Sequence, residues 1–200
     1  MIISMSDILC VTNRTLCAGD FLERIEAIAA ARPAGILLRE KDLAEDAYRS
    51  LAEQVLSICR RHGTPCILHS FVGAAAALGC TAIHLPLPVL RTLTDREKAV
   101  FAVLGASCHS VEEALEAEKL GCTYLTAGHV FDTDCKRGTP GRGLAFLREV
   151  CQKVSLPVYA IGGVSPENIA AVRQSGAAGG CVMSGAMTCR DVVTYLGEFS

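Results

Sequence analysis

The chain has 200 residues, half of them hydrophobic, and its 19 basic and 21 acidic residues give a net charge of -2. A chain of this size fits one domain with a substantial core, and its balanced charge provides no basic surface for nucleic acid or anionic membranes. No apolar run reaches the roughly 18 residues of a membrane span, and the first residues lack a signal-peptide pattern. We therefore expect a cytosolic protein with one domain over residues 1–200 and no nucleic-acid or membrane partner.

Short apolar runs alternate with longer amphipathic segments along the whole chain. The runs are continuously apolar, which is typical of parallel strands covered on both faces. The predicted strands are Asp7–Asn13, Gly35–Arg39, Pro65–His69, Ala82–Leu85, Ala102–Ser107, Thr123–Ala127, Pro157–Ile161 and Gly180–Met183. The predicted helices include Asp20–Ala31, Leu43–Arg61, Ser110–Leu120, Leu144–Lys153 and Pro166–Ser175, with a short one near Asp95–Val100.

This alternation predicts the fold class. Asp20, Ser110 and Ser165 are predicted N-caps, and Gly63, Gly79, Gly121 and Gly176 are predicted to end helices or helix-strand loops. Strands that alternate with helices form either a doubly wound sheet or a closed barrel. The eightfold count favours a single compact α/β domain with a (βα)8 TIM-barrel fold.

Polar side chains collect where the predicted strands end, which is where such barrels place their sites. Two of these turns contain glycine or serine and lead into helices, in the segments AIGGVSPENI and GGCVMSGA. Exposed amides and helix dipoles favour an anion there. We therefore predict that Gly162, Gly163, Ser184 and Gly185 bind a phosphate group, although each turn alone is also typical of ordinary tight turns.

Two cations follow the second strand, at Arg39 and Lys41. A guanidinium at a strand end can bind a carboxylate or phosphate through two parallel hydrogen bonds. We predict that both residues bind an anionic substrate, whereas Glu40 between them is interpreted as structural.

The longest predicted loop begins at the end of the sixth strand and contains His129. Long loops in compact domains are usually functional or disordered, and an imidazole exchanges protons near neutral pH. His129 is therefore a candidate catalytic residue. His69, His84 and His109 end other strands, but they lack metal-ligand spacing and nearby carboxylates, so no metal site is predicted. The eleven cysteines form no CxxC pair and are interpreted mostly as small buried hydrophobes.

The motifs LLREK, GASCHS, GHVFDTDCK, AIGGV and CVMSG resemble, in this order, the thiamine phosphate synthase and TenI superfamily. The resemblance covers nearly the whole chain and implies a homodimer. Within the superfamily, the synthases join a pyrimidine pyrophosphate to a thiazole phosphate with magnesium. The thiazole tautomerases aromatise a thiazole carboxylate phosphate without a metal.

Departures from the synthase pattern favour the tautomerase. The synthases end the third strand with Asn-Asp, where this chain has His69 and Ser70, and they have an aspartate at the position of Val89. Magnesium prefers oxygen ligands such as carboxylates. The loop GHVFDTDCK is also similar to the tautomerase loop. We therefore expect a cofactor-free isomerase that acts on a phosphorylated thiazole.

In this hypothesis, His129 transfers the proton, and the residues that bind the substrate are Arg39, Lys41, Thr133 and Lys136. Two alternatives stay open. One is a divergent magnesium-dependent thiamine phosphate synthase, and the other is a non-catalytic protein that binds thiazole phosphate.

Overall fold

Eight strands follow one another in the order β1 to β8 around a closed barrel. The structure, a computed structural model, describes residues 7–133 and 138–199. The strands are β1 Ile8–Val11, β2 Gly35–Leu38, β3 Cys66–His69, β4 Ala82–Pro86, β5 Val103–Cys108, β6 Tyr124–Gly128, β7 Val158–Ile161 and β8 Gly179–Val182. All eight predicted strands are confirmed, with ends that shift by two residues or fewer. The predicted (βα)8 TIM-barrel fold is therefore confirmed.

Helices follow the strands in the alternating pattern that the sequence predicts. They are α1 Phe21–Ala30, α2 Glu45–His62, α3 Val72–Ala77, α4 Leu87–Leu90, α5 Asp95–Lys98, α6 Val111–Lys119, α7 Gly143–Lys153, α8 Ile169–Gln174, α9 Ser184–Thr188 and α10 Val192–Gly197. No helix in the described ranges is long and apolar enough to cross a membrane.

Two of the three predicted N-caps are confirmed. The side chain of Asp20 accepts a hydrogen bond from the Glu23 amide at the start of α1, and Ser110 accepts one from Glu113 at the start of α6. The prediction for Ser165 is wrong, because a turn precedes α8 and its N-cap is Asn168. Asn168 instead accepts a hydrogen bond from the Ser165 amide, so the Ser165 side chain caps no helix.

The chain packs into two units. The first comprises the described parts of Met1–Ile83 and Val182–Ser200, in which β1 pairs with β2 and β2 pairs with β3. The four residues of β1 and the four of β2 are all buried. Tyr48 on α2 is fully buried, and its hydroxyl links the Leu38 carbonyl to the His69 amide. These contacts hold the carboxyl ends of β2 and β3 together.

The second unit is His84–Cys181, in which β5 to β8 pair in sequence. The register places Gly105 opposite Tyr124 and Ser107 opposite Thr126. Side chains two residues apart on a strand share a face, so Gly105 and Ser107 lie on one face of β5. The prediction of a single domain over residues 1–200 stays a prediction.

Candidate functional site

A buried carboxylate organises the ends of β1 and β2. Glu40 is 2% exposed, and its oxygens accept hydrogen bonds from the Thr12 hydroxyl at 2.6 Å and the Arg14 amide at 3.1 and 3.0 Å. The Arg14 guanidinium lies 3.3 Å from the same carboxylate. Because these donors occupy both oxygens, Glu40 holds the polypeptide in place, as its structural interpretation expects.

Arg14 also joins this cluster to Asp42. Its two terminal nitrogens each donate to one Asp42 oxygen at 2.6 Å. This bidentate hydrogen bond raises the pKa of Arg14 and lowers that of Asp42. Arg14 thus pairs with both carboxylates, and Glu40, Arg14 and Asp42 form one ion-pair cluster within the chain.

Arg39 lies beside this cluster at the end of β2. Its amide donates to the Thr12 hydroxyl at 2.9 Å, and its side chain is half-buried. Among the described residues, the Arg39 guanidinium has no ion-pair partner. Lys41 is exposed two residues further on. The structure therefore places both predicted cations at a strand end, where Arg39 can reach an anionic ligand.

The other residues that the sequence places at strand ends of the first unit follow β3 and β8. His69 is buried, and its Nδ1 lies 2.7 Å from the Ser70 hydroxyl. Ser184 and Gly185 open α9, as expected. A Cβ at Gly185 would collide with the Tyr195 hydroxyl on α10, so helix packing alone requires glycine at this position.

A buried polar cluster connects β4, β5 and β6. His84 is 1% exposed, and its ring lies 2.9 Å from the Tyr124 hydroxyl through Nδ1 and 2.9 Å from the Ser107 hydroxyl through Nε2. The Thr126 hydroxyl lies 3.4 Å from that of Ser107. A Cβ at Gly105 would lie 2.6 Å from His84 Nδ1. Glycine at this position therefore makes room for the cluster.

His129 is buried at the start of the loop after β6. Its Nε2 lies 3.0 Å from the Thr139 carbonyl oxygen. Because a carbonyl oxygen only accepts, Nε2 carries the hydrogen and donates it. The Arg142 amide donates to the His129 carbonyl at 2.9 Å. His129 therefore ties the two ends of this loop together.

The Gly162–Gly163 turn after β7 packs against that loop. Both glycines have positive φ angles, of 95° and 66°. A Cβ at Gly162 would lie 2.9 Å from His129 Cα, and one at Gly163 would lie 2.7 Å from the Asp132 carbonyl oxygen. The structure thus brings three predicted site residues, His129, Gly162 and Gly163, into contact.

The remaining predicted residues give mixed outcomes. Thr133 is half-buried in the loop after β6, whereas Lys136 and Cys135 lie outside the described residues. His109 is exposed, and its Nδ1 lies 2.8 Å from the Gly128 carbonyl oxygen. Burial raises the pKa of Cys108 to about 12, so its thiol stays protonated and unreactive near neutral pH.

Three comparisons relate the chain to known proteins. Residues 8–186 match the family model described as thiamine monophosphate synthase. The thiamine-phosphate synthase of Syntrophomonas wolfei is 33% identical over 91% of this chain and 88% of its own length. Thiamine-phosphate synthase 2 of Streptococcus pneumoniae is 34% identical over 91% of this chain and 88% of its own length. Thiamine phosphate pyrophosphorylase from Pyrococcus furiosus superposes with a TM-score of 0.82 at 28% identity, covering 96% of this chain and 92% of its own.

These relatives overturn the prediction of a cofactor-free isomerase. That prediction depended on one loop motif and three substituted positions, whereas the similarity to proteins named as synthases extends over nine tenths of the chain. The isomerase reaction predicted for His129 is therefore wrong, whereas a catalytic role for this residue stays a prediction. Its Nε2 hydrogen is already bound to Thr139, which favours a role in holding the loop.

The sequence reasoning missed the hydroxyls of Ser107 and Tyr124 and the buried position of His84. A signal was present in GASCHS, where a serine stands near the end of an apolar strand. Its partners are 23 and 19 residues away, so the sequence alone did not reveal the cluster.

Proposed function

Because the chain belongs to the thiamine monophosphate synthase family, we propose that it is a transferase of the thiamine phosphate synthase type. It moves a pyrimidine group from pyrophosphate to a thiazole phosphate and releases pyrophosphate. The observation that carries the proposal is the similarity to named synthases over about nine tenths of the chain.

Arg39 supplies positive charge for this reaction. Negative charge builds on the pyrophosphate as it leaves, and fixed donors aimed at that charge lower the barrier. The Arg39 guanidinium is half-buried at the end of β2 and has no ion-pair partner among the described residues. Its planar donors suit two phosphate oxygens at once. Lys41, two residues along, adds a second charge, and Lys136 stays a predicted substrate ligand.

The turn after β7 is the proposed phosphate site for the thiazole substrate. Successive backbone amides in a turn with positive φ form a concave anion-binding surface. Both Gly162 and Gly163 have this conformation, and in the described ranges neither amide donates a backbone hydrogen bond. Participation of Ser184 and Gly185 stays a prediction, as do the homodimer and the cytosolic location.

The described residues do not fit the magnesium site that the resemblance implies for the synthases. The positions at issue are Ser70, whose hydroxyl is bound to His69, and Val89 on α4. In residues 7–133 and 138–199, no three His, Cys, Asp or Glu side chains form a group able to hold a metal ion. The described residues therefore support no magnesium-dependent step, and the absence of a metal site stays a prediction.

The test is direct synthesis. The purified chain is incubated with pyrimidine pyrophosphate and thiazole phosphate, with magnesium or with a chelator, and thiamine phosphate and pyrophosphate are both quantified. We expect equal amounts of the two products. Arg39→Ala should lower kcat/KM by about 100-fold, because a donor to the leaving group is lost. Arg49→Ala, an exposed arginine on α2, is the matched control and should behave as the wild type.

A specific result would exclude the transferase. Thermal stabilisation by thiazole phosphate without product under either metal condition would instead support the non-catalytic binding protein. The presence of Ser70 and Val89 where the synthases have aspartate also favours this alternative.

A further inference from the structure

Two cysteine side chains, the thiol pair Cys59 and Cys66, meet where α2 ends and β3 begins. Cys59 lies in the last turn of α2 and is 1% exposed, whereas Cys66 is the first residue of β3 and is half-buried. The two thiols are hydrogen-bonded to each other, and both are reduced. Their sulfur atoms are therefore in direct contact, unlike those of two cysteines that fill separate gaps in a core.

Hydrogen bonds hold the turn between the two cysteines. Gly63 ends α2 with a φ of 67°, and the Thr64 amide donates to the Cys59 carbonyl oxygen at 3.0 Å. The buried Thr64 hydroxyl also donates to the Ala29 carbonyl oxygen on α1 at 2.7 Å. The turn therefore folds back on itself, which keeps Cys59 beside Cys66.

The thiol pair lies at the end of α2 that is remote from the carboxyl ends of the strands. In the first turn of α2, the Tyr48 hydroxyl accepts a hydrogen bond at 2.8 Å from the amide of His69, the last residue of β3. The helix and the strand are thus joined at both ends, by Tyr48 at the carboxyl end of β3 and by the thiol pair at its amino end. Substrates of this barrel type bind at the carboxyl ends, so a covalent bond between the sulfurs would fasten α2 to β3 without entering that site.

The hydrogen bond makes one sulfur of the pair easier to ionise. The Cys66 thiol donates to the Cys59 sulfur, which lowers the pKa of Cys59, while the same bond and burial raise the pKa of Cys66. Oxidation of thiols depends on thiolate character and on access to solvent. The pair combines the two requirements, because Cys59 ionises more readily and Cys66 is the more exposed.

We propose that Cys59 and Cys66 form an oxidation site, at which hydrogen peroxide joins the two sulfurs in a disulfide within the chain. One sulfur attacks a peroxide oxygen and becomes a sulfenic acid, and the displaced hydroxide takes up the proton of that thiol to form water. The other sulfur then attacks the sulfenic sulfur, so that the S–S bond forms, the S–O bond breaks and a second water leaves with the remaining thiol proton. The two thiols lose two electrons, which the peroxide gains. A dithiol reductant reverses the step by thiol–disulfide exchange.

Cys80 is the neighbouring thiol that tests the pairing. It is half-buried just before β4, and its thiol donates to the Ala82 carbonyl oxygen at 3.4 Å. It also lies close enough to Cys66 to contribute to the raised pKa of that thiol. Because Cys66 donates its hydrogen bond to Cys59, we expect Cys80 to stay a thiol, and Cys80→Ser is the matched control.

Peptide mapping identifies the linked residues. The reduced full chain is treated with hydrogen peroxide, the remaining thiols are alkylated under denaturing conditions, and the protein is digested with trypsin without a reductant. Cleavage after arginine places Cys59 in peptide 50–60 and both Cys66 and Cys80 in peptide 62–91. We expect mass spectrometry to find the two peptides linked in the wild type and in Cys80→Ser, but not in Cys66→Ser or after treatment with dithiothreitol. Linked peptides in Cys66→Ser, or alkylated Cys59 in the peroxide-treated wild type, would overturn the proposal.

The melting temperature supplies a second measurement. A closed loop restricts the unfolded chain, so the disulfide form should melt about 5 °C above the reduced protein, and Cys66→Ser should show no such rise. Cys59→Ala also removes the pair and replaces Cys66→Ser if that variant does not fold. A disulfide form that melts below the reduced protein would contradict the proposal, because the sulfurs would then have been forced together. Mapping needs no substrate, so its outcome does not depend on whether the chain forms thiamine phosphate.

Discussion

The ion-pair cluster around Glu40 and the cluster around His84 differ in the kinds of hydrogen-bonding groups that they contain. Glu40 accepts hydrogen bonds from Thr12 and from the Arg14 amide, and Arg14 also binds Asp42. The charges in this cluster are therefore satisfied within the protein. In the cluster of Tyr124, His84 and Ser107, an imidazole and two hydroxyl groups form hydrogen bonds without any carboxylate or guanidinium.

This difference reflects the cost of burying a charged group compared with that of burying a neutral one. A buried carboxylate is stable only when donors surround it, so Glu40 is fully committed to holding Thr12 and Arg14. A neutral imidazole is less costly to bury than a charged group. It can accept a hydrogen bond at one ring nitrogen while it donates one from the other. The first cluster therefore stabilises the fold beside Arg39, and the second links β4, β5 and β6 without a buried charge pair.

The largest expected effect tests the supporting role of Glu40. Glu40→Gln replaces an acceptor oxygen with an amide group that faces the Arg14 amide. We expect a loss of about 3 kcal/mol in the free energy of unfolding, because buried donors lose their acceptor. The melting temperature should fall by about 6 to 12 °C for a chain of this size. Chemical denaturation and thermal scans measure the two quantities.

Asp46→Asn is the matched control for Glu40→Gln. Asp46 is an exposed residue on α2 that pairs with Arg49, so its loss should change stability by less than about 0.5 kcal/mol. Equal stability of the two variants would contradict the structural role of Glu40.

The next effect tests the packing of the His84 cluster. Gly105→Ala introduces a Cβ 2.6 Å from His84 Nδ1, which should destabilise the protein by about 2 kcal/mol through overpacking. The Tyr124 ring lies even closer to that Cβ and must move as well. Gly19→Ala is the control, because a Cβ at Gly19 meets nothing within 4 Å. A Gly105→Ala protein as stable as this control would refute the close packing.

A smaller effect distinguishes the exposed edge of the Glu40 cluster from its buried centre. The hydrogen bond from Arg14 lowers the pKa of Asp42, so its contribution is present above the ordinary carboxyl pKa of about 4 and is lost as the pH falls through the lowered folded value. Asp42→Asn should therefore lower the melting temperature by about 1 °C at pH 7. This difference should shrink as the pH falls below about 4, and a difference that stays constant down to the acid transition would contradict the assignment.

The smallest effect contrasts Ser107 with its neighbour on the strand. Cys108 lies on the opposite face of β5 and is fully buried, and burial raises its pKa to about 12. Its thiol should not be alkylated at pH 8 in the folded protein, whereas half-buried Cys17 should be. Peptide mapping by mass spectrometry measures both residues in one sample. Rapid labelling of Cys108 without unfolding would show that the far face of β5 is open.

The elements of the fold were predictable because each has a local cause. The eight apolar runs mark the strands, and the caps at Asp20 and Ser110 depend on residues three positions away. The N-cap prediction for Ser165 also failed for a local reason. Asn168 is the N-cap of α8, and its side chain accepts a hydrogen bond from the Ser165 amide. Several short helices, such as α3 and α10, lack a long amphipathic pattern and were not predicted.

The site was only partly predictable because its contacts depend on register between strands. Arg39, Gly162 and Gly163 could be located from strand ends alone. The partners of His84 lie 23 and 40 residues away in sequence, and the pairing of β5 with β6 brings Ser107 and Tyr124 onto adjoining strands. The isomerase prediction failed because a short loop motif and three substituted positions were given more weight than the similarity of the whole chain.

The contact between the Gly162–Gly163 turn and the loop after β6 constrains how this protein can change. A side chain at either glycine would enter space held by His129 or Asp132. A substitution at either glycine should therefore be accommodated only when the backbone of the loop moves as well. The two segments are about thirty residues apart in sequence, so their substitutions are expected to be coupled rather than additive.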